Sequence, residues 1–157
     1  MQQQIAIVTP SSVRRVVSVA VVFGLGAVFI YLAFSSPPES LFWQAFLIVA
    51  GIAAVVVGEK MWRATALSLI LTKDALIDSS GRELCKLDQI TAVDLGALAF
   101  KPTNGFMLST NISLGRVWAP GLWWRIGRRI GVGGATPGNQ SKIMAEAIAL
   151  RIARRDE

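Results

Sequence analysis

The chain is expected to be an α+β membrane protein: a two-helix transmembrane hairpin, then a small antiparallel β-barrel or sandwich ending in an amphipathic helix. Three observations predict this. Two uncharged apolar runs, residues 16–34 and 41–58, flank the connector Ser35-Ser36-Pro37-Pro38-Glu39-Ser40. Beyond them the hydrophobic pattern shortens to alternating segments separated by Gly, Asn and Pro turns, which favours strands. The last stretch, about 139–155, returns to helical spacing.

Composition bounds the chemistry. Of 157 residues 53% are hydrophobic and the mean hydropathy is +0.52, odd for a soluble chain and explained once the hairpin is set aside. There is no His, so the chain has no acid/base group of ordinary near-neutral pKa and no imidazole metal ligand. The lone Cys85 excludes an internal disulfide or a Cys-rich zinc site. Its setting, Leu84-Cys85-Lys86-Leu87, reads as that of a small buried hydrophobe.

Residues 1–15 are expected to be a cytoplasmic N-terminal tail, with Met1–Ser12 disordered or interfacial because it is short, polar at its start and without periodicity. The hairpin follows over residues 16–58. Its first run has 19 residues without a charge, and its second has 18 with Gln44 the one strongly polar side chain. As helices they would be roughly 27–29 Å long, close to the roughly 30 Å of bilayer hydrocarbon. Arg14 and Arg15 precede the first run, Lys60 and Arg63 follow the second, and the connector carries only Glu39. Basic residues on the outer flanks place both termini in the cytoplasm. Trp62 marks the cytoplasmic interface, and Tyr31, Phe42 and Trp43 the outer aromatic belt. A cleaved signal peptide is the rival for the first run, but 19 residues exceed the usual apolar region and Ala33-Phe34-Ser35 is a mediocre cleavage site. Ala20 with Gly24 and Ala50 with Ala54 offer small residues for close helix approach. Neither run holds an embedded charge, which argues against an ion pathway or proton relay.

The domain is expected over residues 59–157. Alternation from Thr65 puts Leu67, Leu69 and Leu71 on one face of a strand of about seven residues. Thr72-Lys73-Asp74 turns the chain into a strand at 75–78, and Ser79-Ser80-Gly81 leads to a returning strand at 83–87. Further strands are expected at 88–95, at 105–110 after the turn Pro102-Thr103-Asn104-Gly105, and at 112–118. In the last helix Ile143, Met144, Ala147, Ile148 and Leu150 form the apolar stripe. Thr136-Pro137 supplies a cap, and Arg151, Arg154 and Arg155 suit the negative end of the dipole.

A hairpin followed by Ser68-Leu69-Ile70-Leu71-Thr72-Lys73-Asp74-Ala75-Leu76, Gly81-Arg82-Glu83 and Leu87-Asp88-Gln89-Ile90-Thr91-Ala92-Val93 resembles bacterial pleckstrin-homology-like (PH-like) membrane proteins. Arg128-Arg129-Ile130-Gly131-Val132-Gly133-Gly134 is similar to the strand and turn near the end of that barrel. The likeness covers roughly residues 41–155. It implies a PH-like superfold of two packed antiparallel sheets and a capping helix, an inner-membrane location in a bacterium, no enzymatic activity and no cofactor. Residues 118–124 depart from the generic pattern as an insertion-like segment.

Charge is unevenly spread. Residues 59–94 hold five Lys/Arg against six Asp/Glu, whereas residues 95–145 hold six Lys/Arg and no acid. Within the second block, residues 116–129 pack three Trp and four Arg into 14 positions. Arg116, Trp118, Trp123, Trp124, Arg125, Arg128 and Arg129 are therefore the candidate binding residues. Trp favours the headgroup level of a bilayer and Arg reaches lipid phosphates, so the stretch is a candidate surface for anionic lipid headgroups. Alternatively Trp118 and Trp123 fill the core while the arginines are solvated, or the stretch meets a protein partner or a second copy of the chain. Nucleic acid is disfavoured, since no recognised motif accompanies the basic residues. No catalytic constellation, phosphate loop or metal-ligand spacing is found among Asp74, Asp78, Glu83, Asp88 and Asp94. The expected role is a non-enzymatic, membrane-anchored module docking protein or anionic lipid at the cytoplasmic face. The alternative is an accessory subunit of a larger membrane complex.

Overall fold

A computed structural model of the chain describes residues 4–95 and 104–155. The elements run β1 (Ala6–Val8), α1 (Ser12–Ser35), α2 (Leu41–Ala64), β2 (Leu69–Leu71), β3 (Ala75–Asp78), β4 (Glu83–Lys86), a 3-10 turn (Leu87–Gln89), β5 (Ile90–Asp94), β6 (Phe106–Thr110), β7 (Arg116–Ala119), β8 (Trp123–Ile126), β9 (Arg129–Val132) and α3 (Gly138–Arg155). It is an α+β arrangement of two long apolar helices, two antiparallel sheets and a C-terminal helix.

Each hairpin helix has 24 residues, about 36 Å at 1.5 Å per residue, so both outrun their uncharged cores. Both are long and apolar enough to cross a bilayer. In their most apolar windows only 17% and 11% of residues are buried, unlike the core helices of a water-soluble fold. The Pro37-Pro38 break separates them, as proline supplies no N–H to continue a helix. At the far end the Thr65 hydroxyl and N–H both donate to Met61 O and close α2.

The two helices meet through glycine, on lines other than those expected. Val19, Gly26 and Ala33 are the buried residues within α1, each seven apart, and Gly51 and Gly58 repeat the spacing on α2. Seven-residue spacing keeps one seam facing a partner at a shallow crossing angle. A Cβ on Gly51 would lie 2.6 Å from the Ile30 side chain, and one on Gly26 3.1 Å from Gly51 O. Ala54 joins this seam against Gly26, but Ala20 and Gly24 face outward. Gln44 extends the line and donates its amide to Ala33 O, which satisfies its polar head.

The four-stranded sheet has the order β1-β2-β3-β4 and the five-stranded sheet β5-β6-β9-β8-β7. Among the described residues the two sheets do not join, so the architecture is two layers rather than a closed barrel. The N-terminal segment is not a loose tail. Ala6, Ile7 and Val8 pair with Leu71, Ile70 and Leu69, and Val8 is fully buried. Three residues are too few to show a period, and their extended form comes from the open edge of β2.

Other boundaries shift for local reasons. Residues 65–67 continue the end of α2 through bonds from Ala66 N to Arg63 O and Leu67 N to Ala64 O, which leaves β2 only three residues. β7 begins at Arg116 rather than at 112, and residues 118–124 form the β7–β8 hairpin. Of the expected turn at 102–105, Pro102 and Thr103 lie outside the described residues, while Asn104 takes φ 58°.

The core lies between the sheets and under α3: Leu69, Leu71, Leu76, Leu84, Phe106, Leu108, Trp123, Ile130, Met144 and Ile148 are fully buried or nearly so. On α3, Met144 and Ile148 face inward as expected and are joined by Ala145, but Ile143 and Leu150 are exposed. Its arginines do more than suit the dipole. Arg151 donates to Lys73 O, and Arg155 to the carbonyls of Asp88 and Ile90.

Candidate functional site

Side chains alternate across the pleat, and this alternation divides the Trp/Arg stretch in two. Val117 pairs with Arg125 and Ala119 with Trp123 on the inner face; Arg116 pairs with Ile126 and Trp118 with Trp124 on the outer face. Trp123 is 1% exposed and belongs to the core. Trp118 is 56% exposed and does not. Trp124 lies flat over Gly131, where a Cβ would come within 2.4 Å of its ring. The bare glycine makes room for that ring.

Arg125 points between the layers rather than toward solvent. Its Nη1 donates to Leu84 O at 2.7 Å and to Glu83 O at 3.3 Å, tying the five-stranded sheet to the edge strand β4. Beside it lies Cys85, a buried thiol. Burial pushes the Cys85 thiol up to about 12; the nearby Arg125 charge offsets part of this and Glu83 adds to it. A thiol so raised stays protonated and unreactive. Arg116, Arg128 and Arg129 are exposed.

The β7–β8 turn meets the end of α2. Gly121, at φ +80°, sits where a Cβ would come within 2.9 Å of Met61 and Thr65 side-chain atoms. The other side of the hairpin base is fastened by the Ser11 N–H donating to Ala135 O and Arg14 Nη1 to Thr136 O. Arg15 stacks on Trp62 at 3.8 Å from the ring centroid and donates to Trp62 O. The hairpin base is thus held to the domain at two places, the β7–β8 turn and the segment between β9 and α3.

Trp118 stands at this base, while the arginines of its stretch lie farther away. Arg116 is two residues beyond it along β7, roughly 7 Å at strand rise. Arg128 follows β8 at the opposite end of the strand. Beside Trp118 an open cavity of about 350 Å³ is lined by Lys60 and Arg63 of α2, by Asp78 and Arg82 of the β3–β4 hairpin, and by Pro120. The structure therefore assembles a cationic site from residues that sequence reasoning did not group. Lys60 and Arg63 served there only to orient the hairpin. Arg82 carried no local signal, because its place beside α2 is a long-range consequence of how the layers mount on the hairpin.

The acid in this cavity is engaged. Asp78 is 2% exposed, and its Oδ1 accepts from the backbone N–H groups of Ser80 and Arg82 and from the Ser80 hydroxyl. These bonds close the hairpin turn at Gly81, which takes φ +87°. Arg63 forms an exposed i,i+4 pair with Glu59. Among the described residues no three His, Cys, Asp or Glu side chains gather as a metal-binding group.

No protein-family model, curated protein or solved structure matches the chain.

Proposed function

We propose that the chain is a non-enzymatic, membrane-anchored interaction module of the bacterial PH-like kind. In this reading α1 and α2 cross the inner membrane, both termini lie in the cytoplasm, and the two-sheet domain docks protein or anionic lipid at the cytoplasmic face. The observation that carries it is the clamp at the hairpin base: Ser11 to Ala135, Arg14 to Thr136, and Gly121 against Met61 and Thr65. A domain on a loose tether would sample many orientations. One fastened at both helix ends presents a constant edge, here Trp118 and the β7–β8 turn, to whatever lies beside the apolar helices. The basic residues at the two outer helix ends support the orientation, since the bias of Lys and Arg sets topology.

The test is topological. Membranes washed with alkaline carbonate should retain the chain and detergent should release it. Protease added outside intact cells should leave the region beyond Trp62 whole and digest it only after permeabilisation. Solubility without detergent, or digestion from outside, would overturn the reading. Stoichiometric co-purification with a large membrane complex would instead favour an accessory subunit.

A further inference from the structure

We propose that the cavity between α2, the β3–β4 hairpin and Trp118 is a binding site for the phosphate of an anionic phospholipid headgroup. This rests on the membrane-anchored reading above and adds to it a ligand class and a set of residues. Lys60 and Arg63 are three apart on α2 and so share a helix face. Arg82 comes to the same cavity from a different element, which makes the cluster a product of the fold rather than a run of sequence. Among the described residues neither the Lys60 ammonium nor the Arg82 guanidinium has a hydrogen-bond or ion-pair partner.

The two acids nearby offset part of this charge but leave it net positive, three cations against two carboxylates. Asp78 is turned into its own hairpin and accepts three hydrogen bonds there. Glu59 meets Arg63 with side chains 57% and 77% exposed, and pairs that open to solvent are worth about 0–1 kcal/mol, little enough for a phosphate to displace. The open cavity of about 350 Å³ has room for a phosphate with its polar substituent.

Position selects a lipid over a soluble phosphate. Lys60 lies two residues past Gly58, where the uncharged part of α2 ends, and Trp62 follows it. A membrane-spanning helix ends its apolar stretch at the headgroup layer, so the cavity opens at the depth where lipid phosphates reside. Trp118, exposed at the cavity's edge, has the amphipathic ring that settles at that layer. Arg128 and Arg129 sit at the end of β8 away from the β7–β8 turn, and the three strand steps from Trp123 to Ile126 already span roughly 10 Å, more than a Debye length of about 8 Å, so they contribute weakly.

The experiment uses the full chain purified in a neutral detergent and titrated separately with phosphatidylglycerol and phosphatidylcholine, with bound lipid counted by native mass spectrometry. The wild type should prefer phosphatidylglycerol. The Lys60→Gln/Arg82→Gln variant should bind it about 25-fold more weakly, about fivefold for each cation removed. Arg82→Lys should retain most of the binding, and Arg128→Gln/Arg129→Gln should match the wild type. Equal binding of the two lipids, an unchanged pocket variant, an equal loss in the distal variant, or competition by inorganic phosphate at lipid-like affinity would each overturn the proposal. A chain that enters micelles yet shows no preference loses only the headgroup site. A chain that stays soluble without detergent loses the anchored reading as well.

Discussion

At residue scale, Arg125 marks where local pattern and fold part. In Trp123-Trp124-Arg125-Ile126 the alternation that buries most apolar surface would turn Trp124 and Ile126 inward. The opposite parity is adopted. Trp123 packs in the core, and Arg125 reaches across to Leu84 O and Glu83 O, where the edge of β4 offers carbonyls without strand partners. Gly131 makes the choice possible by leaving the outer face flat for the Trp124 ring. The neighbouring Cys85 supplies a pH test. Its thiol is raised by burial to about 12, from 9.0 for the free group. Between these values the unfolded chain releases a proton that the folded chain keeps, so stability falls as pH rises. Below pH 9 this contribution is fully present, and it declines progressively toward pH 12. Chemical denaturation of wild type and Cys85→Ala should give a difference in stability that is constant below pH 9 and shrinks above it. A constant difference across that window would show that the thiol titrates normally.

At the scale of elements, the hairpin seam depends on two glycines rather than on the general abundance of small residues. A side chain at Gly51 meets Ile30 at 2.6 Å, whereas one at Gly24 meets nothing within 4 Å. Gly51→Val should therefore force the helices apart and lower the midpoint of thermal unfolding in detergent, with a cost on the order of 1–3 kcal/mol from overpacking. Gly24→Val should leave that midpoint nearly unchanged. Equal effects would mean that the seam lies elsewhere. The sequence contained both candidate lines, since Ala20 with Gly24 has four-residue spacing and Gly51 with Gly58 has seven. Choosing between them requires knowing which helix faces meet, and that depends on how the connector and the domain hold the two ends.

At the scale of the whole molecule, the chain closes on itself. β1 precedes the hairpin in sequence but completes the sheet that follows it, so the polypeptide leaves the domain, traverses two long helices and returns to the same layer. A fragment beginning after α2 would expose the edge of β2 and lose Val8 from the core. Val8→Ala should destabilise the full chain by about 1–2 kcal/mol. Deletion of residues 1–11, which also removes the Ser11 bond to Ala135, should increase proteolysis within the domain. Unaltered protease resistance after the deletion would make β1 dispensable.

The amino-acid order alone determined the two apolar helices, the change to alternating strands and the closing amphipathic helix. These follow from periodicity and from side-chain polarity, which act over a few neighbouring residues. It also marked Trp123 as a core candidate and Cys85 as a small buried hydrophobe. Only the tertiary structure decided that residues 6–8 form a strand, that Arg125 turns inward, and that Lys60, Arg63 and Arg82 share one cavity. Each of these depends on partners far away in sequence: an open sheet edge, unpaired carbonyls, and a hairpin fastened at both ends.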